Sequence, residues 1–406
     1  IMKTTAILHL DLDTFFVSVE RLINTKLMHR PLLVGGLGDR GVVAACSYET
    51  RKFGVHSGMS MKVARNLCPE ATVIKGNAST YTKYSHLITE IIKSEVPSFE
   101  KASVDEFYAD LTGMDRFFGT YQFAGELRQK IIRESGLPIS FGLSQNKVVS
   151  KIATGEAKPN NQKIIEVGTE KGFLAPLSVK KIPMVGNKTF QKLVHLGVHY
   201  IHTLQEMPLE MLERVLGKNG KLIWLRAQGI DHSPIIPFHE RKSISMERTF
   251  NKDTIDVTRL KATIQAMAES LAYQLRNGNK LASTVTVKIR YSDYQTYSKQ
   301  TKIPYTSADH ILVPKALELF QNLYQRRVLI RLIGVRLSGI VGGNYQINLF
   351  DDSEKMLNLY QSLDKIKNRF GEKSVLRAST LGTRTIGGVQ NPFNGEPPIV
   401  LAHRKQ

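Results

Sequence analysis

The chain has little cysteine and no long apolar run, and each shortage excludes a class of protein. Two cysteines among 406 residues, Cys46 and Cys68, are too few for a disulfide scaffold and suit a reducing compartment. No window approaches the roughly 18 uninterrupted apolar residues of a membrane-spanning helix, so we expect no transmembrane segment. The first residues begin a strand-like pattern without the order of features found in a signal peptide. These absences together predict a cytoplasmic protein.

Acidic side chains are also in short supply. The chain has 36 Asp and Glu against 56 Lys and Arg, a formal net charge of +20, while its hydrophobic share of 42% is ordinary for a folded protein. A folded chain with this excess usually binds a polyanion, although a membrane surface or simple solubility are alternatives. The largest basic excess falls in residues 235–341, on patterned sequence and not in a tail. This distribution favours a nucleic-acid-binding groove.

Hydrophobic periodicity predicts an α+β protein of several domains. Residues 6–157 mix helices, strands and hairpins, whereas residues 177–224 are nearly all helix. A proline-stiffened linker over residues 231–243 precedes the order strand, helix, strand, strand, helix, strand, which resembles a ferredoxin-like split βαβ unit. One more helix, over residues 354–370, precedes an end rich in glycine and proline.

Around the polar motifs the pattern is specific enough to place individual elements. It predicts strands over residues 6–12 and 139–143, a hairpin of two strands within residues 99–111, and helices over residues 14–23 and 147–157.

Three acids stand out because apolar strand ends rarely carry them. Asp11 ends an apolar strand, and Asp105 with Glu106 lies in the predicted hairpin. Carboxylates on neighbouring strand ends repel each other unless a cation neutralises them, and hard oxygen ligands suit Mg²⁺. Two such ions about 4 Å apart support phosphoryl or nucleotidyl transfer. The alternative is that these acids are turn and cap residues or ion-pair partners of Lys101 or Arg116. Asp13 or Thr14 could cap the following helix, and we expect Asp13 to do so.

Several motifs, in order along the chain, resemble those of the Y-family, translesion DNA polymerases. HLDLDTFFVSVE (9–20) resembles the opening of that family, SVDEFYADLTG (103–113) its second catalytic segment, and residues 44–61 its fingers. Residues 140–160 resemble another palm segment, and KSISMERTF (242–250) resembles the start of the little-finger domain. The ordered set is far more specific than any one short pattern.

The resemblance implies a right-hand polymerase with palm, fingers, helical thumb and a ferredoxin-like little-finger domain. The boundaries that we expect are palm 1–12 and 78–167, fingers 13–77, thumb 168–232, linker 233–243, little finger 244–341 and C-terminal tail 342–406. The thumb would carry a helix-hairpin-helix at residues 183–196, where the family usually has a glycine in place of Met184.

The resemblance also implies the chemistry. Asp11, Asp105 and Glu106 would hold two Mg²⁺ ions, with the Leu12 carbonyl as a further ligand. The enzyme would add deoxynucleoside triphosphates to a primer 3′-hydroxyl on primer–template DNA, with low fidelity. We find no second acidic cluster for a proofreading exonuclease in the sequence.

Phe16 stands where the family places its steric gate. A ring there would leave no space for a ribose 2′-hydroxyl, so deoxynucleotides would be selected by exclusion. Core packing is the alternative, and it is the role that we expect for Phe15.

Three residues match the family's triphosphate contacts: Tyr48, Arg51 and Lys158. Tyr48 and Arg51 are three apart on a predicted helix and share a face, and a guanidinium and a phenol hydroxyl suit phosphate oxygens. The alternatives are a surface ion pair of Arg51 with Glu49 or another neighbour and a solvated loop at Lys158.

Two regions are expected to bind macromolecules. The little finger would hold the DNA backbone, with candidate contacts at Arg241, Lys242, Arg290, Arg331 and Arg336. The segment formed by Gln346, Ile347, Asn348, Leu349 and Phe350 is similar to the peptide by which bacterial polymerases bind the sliding clamp, with an edge strand as the alternative.

We expect a monomer that works alone. Two rival functions stay open: a polymerase V-like subunit that needs accessory proteins, and a non-catalytic scaffold that recruits the clamp to DNA. A scaffold should have lost its metal-binding carboxylates, whereas all three are present.

Overall fold

The computed structural model describes residues 5–114, 119–343 and 353–383. Within these ranges the chain forms two compact units, divided between His239 and Glu240, inside the predicted linker. No helix in the described ranges is long and apolar enough to cross a membrane.

The first unit combines two β-sheets with a set of helices. Its strands are β1 Ile7–Leu12, β2 Leu32–Gly35, β3 Val43–Cys46, β4 Thr72–Ile74, β5 Phe99–Lys101, β6 Glu106–Asp110, β7 Ile139–Ser144 and β8 Gln162–Ile164. Its helices are α1 Phe15–Ile23, α2 Tyr48–Arg51, α3 Met61–Leu67, α4 Ala78–Glu95, α5 Thr120–Ser135, α6 Lys147–Ala157, α7 Glu170–Leu174, α8 Asn187–His195, α9 Ile201–Glu206, α10 Leu209–Leu216 and α11 Lys218–Ala227.

A five-stranded sheet with the order β5-β6-β1-β7-β8 carries the predicted catalytic motifs. β1 pairs antiparallel with both β6 and β7, so it is covered on two edges, and both of its faces are buried. Leu8, Leu10 and Leu12 point into a core shared with α1, α4 and α5, whereas His9 points towards α6. His9, on the face opposite the leucines, is as deeply buried as they are.

A smaller sheet, β3-β2-β4, packs with α3 around a separate apolar cluster. Cys46 and Cys68 are both buried in this cluster as free thiols, which agrees with the predicted lack of disulfides. The glycine-rich turn between β2 and β3 is tightly closed, because a Cβ on Gly41 would lie 2.2 Å from the Gly36 carbonyl oxygen.

The helices from α7 to α11 pack together with α6 around one apolar cluster, and residues 177–224 are mostly helical, as their pattern predicts. Met184 precedes α8 with a φ of 76°, the left-handed region that favours glycine. The departure from glycine noted in the sequence therefore falls at a position whose backbone favours glycine.

The second unit has the predicted order of strands and helices. Its elements are β9 Ser243–Thr254, α12 Val257–Asn277, β10 Lys280–Tyr291, β11 Thr296–Thr306, α13 Asp309–Leu323, β12 Ile330–Ser338, β13 Val341–Gly342 and α14 Ser353–Phe370. The main sheet has the strand order β11-β10-β12-β9, and neighbouring strands are antiparallel. The strands joined by a helix therefore run parallel but are not neighbours: β12 lies between β9 and β10, and β10 lies between β11 and β12. α12 and α13 bury their apolar faces on one side of it, which confirms the α+β class.

Candidate active site

The three predicted acids meet at one end of the β1–β6 pair. Asp11 and Glu106 are direct cross-strand partners, and the Leu12 amide donates to the Asp105 carbonyl at 3.0 Å. Asp105 lies in the turn before β6, where Ser103 donates its hydroxyl to the Asp105 carboxylate. The turn is what allows adjacent acids to face one site, as the sequence pattern predicts.

Burial opposes ionisation of these acids. Burial raises the pKa of Asp11 to about 7; the ammonium of Lys158 works against this shift, and the nearby Glu106 and Asp105 charges add to it. Burial likewise raises the pKa of Asp105, with a further contribution from Glu106. The three carboxylates therefore repel one another electrostatically, and a bound cation would stabilise their ionised forms.

Lysines supply positive charge at these acids. Lys158 forms an ion pair with Asp11, and the Lys151 ammonium donates to both Glu106 oxygens at 2.6 and 2.8 Å. Of the two alternative partners considered from the sequence, Lys101 instead donates to Thr89 at 2.8 Å, and Arg116 lies outside the described residues. Lys158 is thus no solvated loop residue.

Across the described ranges, no three or more His, Cys, Asp or Glu side chains are arranged so that they could hold a metal ion. The donor chemistry nevertheless fits Mg²⁺, because three mutually repelling carboxylates present hard oxygen atoms at one strand end. Lysine ammonium groups hold two of those carboxylates, Asp11 and Glu106. A divalent ion at this place would have to displace them.

His9 lies directly behind Glu106 and was not singled out from the sequence. Burial, and then the charges of Lys151 and Lys158, hold its pKa well below the ordinary value, so the imidazole is neutral. Its Nδ1 lies 2.8 Å from the Thr154 hydroxyl, and its Nε2 lies 4.0 Å from a Glu106 oxygen. A single buried polar residue in a strand is too common a pattern to have revealed this neighbour.

The predicted triphosphate residues on α2 are tied to the strand end. The Tyr48 hydroxyl donates to Asp13 at 3.4 Å, and the Arg51 guanidinium lies over the Tyr48 ring, 4.9 Å from its centroid. Glu49 forms its ion pair with Arg21 at 3.0 Å, not with Arg51 as the alternative supposed.

The two adjacent phenylalanines differ in burial, and the predicted core position of Phe15 is confirmed. Phe15 is buried in the core, whereas Phe16 is only partly buried and stacks on Tyr81. The sequence did not mark Tyr81, because an aromatic residue in a helix is usually a core residue.

The prediction that Asp13 caps α1 is wrong. Thr14 occupies the N-cap position with a φ of 43°, and no side chain caps the helix there. The Asp13 carboxylate instead accepts from the Ser140 hydroxyl at 2.8 Å and from the Asn160 amide at 2.5 Å. Contacts with residues so distant in sequence outcompete the local cap.

Lys151 is the other missed neighbour, and a signal for it existed. It lies four residues after Lys147 on α6, so both ammonium groups share one helix face. Lys147 pairs with Glu100 at 2.7 Å and Lys151 pairs with Glu106. Two lysines at this spacing, on a helix after the strand next to β1, indicate a basic ridge along the acids.

A polar depression of about 490 Å³ lies on the sheet of the second unit, on the face away from α12 and α13. Cross-strand pairing places Arg336 beside Thr286, and Lys288 beside Gly334, on this face. Of the predicted DNA contacts, Arg336 lines the depression, whereas the Arg331 guanidinium lies over the Tyr294 ring, 4.6 Å from its centroid. The clamp-like segment 346–350 lies outside the described residues.

Family models match most of the chain. The impB/mucB/samB family matches residues 10–155, and its C-terminal domain matches residues 241–349. The thumb domain of DNA polymerase-iota matches residues 180–231.

Individual proteins are similar over nearly the full length. A protein of Dehalococcoides mccartyi named DNA polymerase IV is 38% identical over 93% of this chain and 98% of its own length. Proteins of the same name from Treponema denticola and Staphylococcus haemolyticus are 34% and 35% identical, over 90% and 87% of this chain and 91% and 100% of their own lengths. A solved Y-family DNA polymerase chimera has a TM-score of 0.72 at 26% identity and covers 83% of this chain and 100% of its own.

Proposed function

This chain belongs to the Y-family of DNA polymerases, and we propose that Asp11, Asp105 and Glu106 are the acids on which its DNA synthesis depends. The chain is a DNA-directed DNA polymerase of the translesion type, and DNA and deoxynucleoside triphosphates are its substrates. The observation that supports this assignment of the acids is their convergence at the end of the β1–β6 pair.

Two Mg²⁺ ions would be held by these three carboxylates and the Leu12 carbonyl. When bound, such a pair of ions lowers the pKa of an attacking hydroxyl and stabilises the charge on the leaving phosphate. The chain's own contribution is to make the site attract positive charge. Burial and the repulsion between neighbouring acids raise the pKa values of Asp11 and Asp105, so their ionised forms are unfavourable without a cation beside them. Lys158 and Lys151 neutralise Asp11 and Glu106 through ion pairs.

Tyr48, Arg51 and Lys158 would bind the triphosphate. Arg51 is exposed on α2, and its stacking over Tyr48 holds the guanidinium close to the phenol hydroxyl. Lys158 contacts Asp11, so its ammonium is within reach of a phosphate that approaches the acids. Phe16 would exclude the ribose 2′-hydroxyl beside them.

The domain boundaries carry over as part of the proposal: palm 1–12 and 78–167, fingers 13–77, thumb 168–232 and little finger 244–341. The polar sheet face of the second unit, with Lys288 and Arg336, would contact the DNA backbone without reading sequence. Low fidelity and lack of proofreading also belong to the proposal, as does a monomer that works alone.

Residues 346–350 would bind the sliding clamp, with Leu349 and Phe350 in an apolar pocket and Gln346 at its rim. The support is the sequence QINLF alone. Replacing both Leu349 and Phe350 by alanine should abolish binding to an immobilised bacterial clamp, whereas Asn348→Ala should retain it. Equal binding by both variants would reject this partner.

Primer extension on an undamaged template with Mg²⁺ and four deoxynucleotides tests the acids. The parent protein should extend the primer, and Asp105→Ala should lose extension while still binding primer–template DNA. Asp110→Asn is the matched control, because this acid lies at the far end of β6 and, within the described ranges, its side chain accepts a local hydrogen bond from the Thr112 amide at 2.9 Å.

The same assay separates the rival functions. Extension by the parent only after accessory proteins are added would identify a polymerase V-like subunit. Tight binding of DNA and clamp without any extension would identify a scaffold. The presence of all three acids in one place favours neither rival.

A further inference from the structure

Asp13 is the most deeply buried acid near the site, and its role is not explained by capping. It follows β1 directly, and its side chain is 2% exposed. A carboxylate so buried is unfavourable unless hydrogen-bond donors and positive charge surround it. Its surroundings provide these on two sides.

One side of the carboxylate holds the sheet and the loop that carries Lys158. Oδ2 accepts from Ser140 on β7 at 2.8 Å and from the backbone amide of Asn160 at 2.5 Å. Arg128 holds the same Asn160 from the other direction, through its carbonyl at 2.5 Å and its side-chain oxygen at 2.7 Å. Asn160 has a φ of 46° and is fixed between an anion and a cation.

The other side of the carboxylate faces the residues of the nucleotide site. Oδ1 accepts from the Tyr48 hydroxyl at 3.4 Å, and the Lys158 ammonium lies 3.8 Å from it. The two oxygens therefore divide their partners: Oδ2 binds groups that fix the fold, and Oδ1 binds groups that would touch a triphosphate.

We propose that Asp13 is a positioning residue that sets the Tyr48 hydroxyl and the Lys158 ammonium for the incoming triphosphate. This inference rests on the proposed function, which assigns those two groups to the nucleotide. Lys158 also pairs with Asp11. If a cation were held by Asp11, Asp13 would remain beside Lys158 and would keep the ammonium near the phosphates.

The variant Asp13→Asn separates the two sides. Its amide oxygen can replace Oδ2 and keep the Ser140 and Asn160 donors, whereas its amide nitrogen at the Oδ1 place no longer attracts Lys158. Single-nucleotide incorporation should show the KM for the deoxynucleotide raised about tenfold, with kcat changed less than about threefold. Binding of primer–template DNA should stay at the parent value.

A mutant cycle tests whether Asp13 acts through its two partners. In a background that carries Tyr48→Phe and Lys158→Ala, adding Asp13→Asn should change KM by less than about twofold, because the groups it positions are absent. Ser140→Ala is the structural control, since it removes the Oδ2 donor and the acceptor of the Asn161 backbone amide at 3.3 Å but leaves both Oδ1 partners in place. It should lower the unfolding temperature without raising KM.

The outcomes separate this inference from its premise. An unchanged KM in Asp13→Asn, while Lys158→Ala raises it, overturns the inference and leaves the proposed function standing. A tenfold rise in KM when Asp13→Asn is added to the Tyr48→Phe and Lys158→Ala background overturns the inference as well. An unchanged KM in both Tyr48→Phe and Lys158→Ala rejects the triphosphate assignment and the inference with it. If Asp13→Asn fails to fold, Asp13→Ser, which adds no volume, goes through the same cycle.

Discussion

Phe16 stacks on Tyr81 with 4.2 Å between ring centroids and 15° between ring planes. Tyr81 is itself buried, and its hydroxyl donates to Glu20 at 2.5 Å. The Phe16 ring, which would act as the gate, therefore packs on a second ring whose position is fixed. The ring centroid of the core residue Phe15 lies 5.5 Å from that of Phe16.

Removing the Phe16 ring should admit ribonucleotides. Phe16→Ala opens space where the 2′-hydroxyl would clash, so the preference for deoxynucleotides should fall by at least about tenfold. The ratio of kcat/KM for deoxynucleotide over ribonucleotide measures this. Tyr81→Phe keeps the stacked ring and should keep the ratio; an unchanged ratio in Phe16→Ala would assign this ring to packing alone.

Arg336 should contribute to DNA binding through charge. It is exposed on β12 in the polar depression, so Arg336→Ala should weaken binding to all sequences and lower the slope of log Kd against log salt by about one. Fluorescence anisotropy at several salt concentrations measures the slope. Lys315→Ala, on α13 across the sheet, is the control, and equal slopes for the two variants would contradict this contact face.

Lys101 should make stability depend on pH. Burial lowers its pKa from 10.5 to about 8, so between about pH 8 and pH 10.5 the unfolded chain binds the proton and the folded chain does not. Stability therefore rises with pH across this window, and below it the buried ammonium opposes folding by about 3 kcal/mol at most.

Lys101→Met removes this group, so it should stabilise the protein at pH 7 and lose the advantage as the pH approaches 10. Urea unfolding at the two pH values measures the difference in midpoint. Lys83→Met replaces an exposed lysine of α4 and should shift neither midpoint. A gain that is the same at both pH values would show that packing, not charge, is responsible.

Asp364, on α14, should hold this helix against α12 of the same unit. Its carboxylate accepts two hydrogen bonds from Arg276, at 2.7 and 3.0 Å, and both side chains are 11% exposed. Asp364→Asn breaks the charge pair, but Asp309 still pairs with Arg276 at 2.7 Å. The expected loss is about 1–3 kcal/mol of unfolding free energy.

Thermal unfolding and the rate of proteolysis within residues 353–383 measure this loss. Glu318→Gln alters an exposed ion pair with Lys315 and should stay within about 0.5 kcal/mol of the parent. Equal stability of Asp364→Asn and Glu318→Gln would show that apolar contacts alone hold the helix.

Much of the architecture follows from local pattern. Helix α6 begins at Lys147 and ends at Ala157, as predicted, and β1 differs from its prediction by one residue. Alternation of apolar side chains and the order of the polar motifs are properties of neighbouring residues, so they can be read without the fold. The placement of Asp105 and Glu106 at a turn was predictable for the same reason, because β5 and β6 form a local hairpin. The pairing of Asp11 with Glu106 joins strands that are distant in sequence, so the local pattern alone does not determine it.

Only the tertiary structure decided which partners these polar groups have. Asp13 was predicted to cap the helix beside it, yet its donors Ser140 and Asn160 lie 127 and 147 residues away. Lys151, Lys158 and Tyr81 reach the site from separate helices and loops. A buried charge takes whichever donors the packed chain brings to it, and that choice depends on the whole fold and not on the neighbouring sequence.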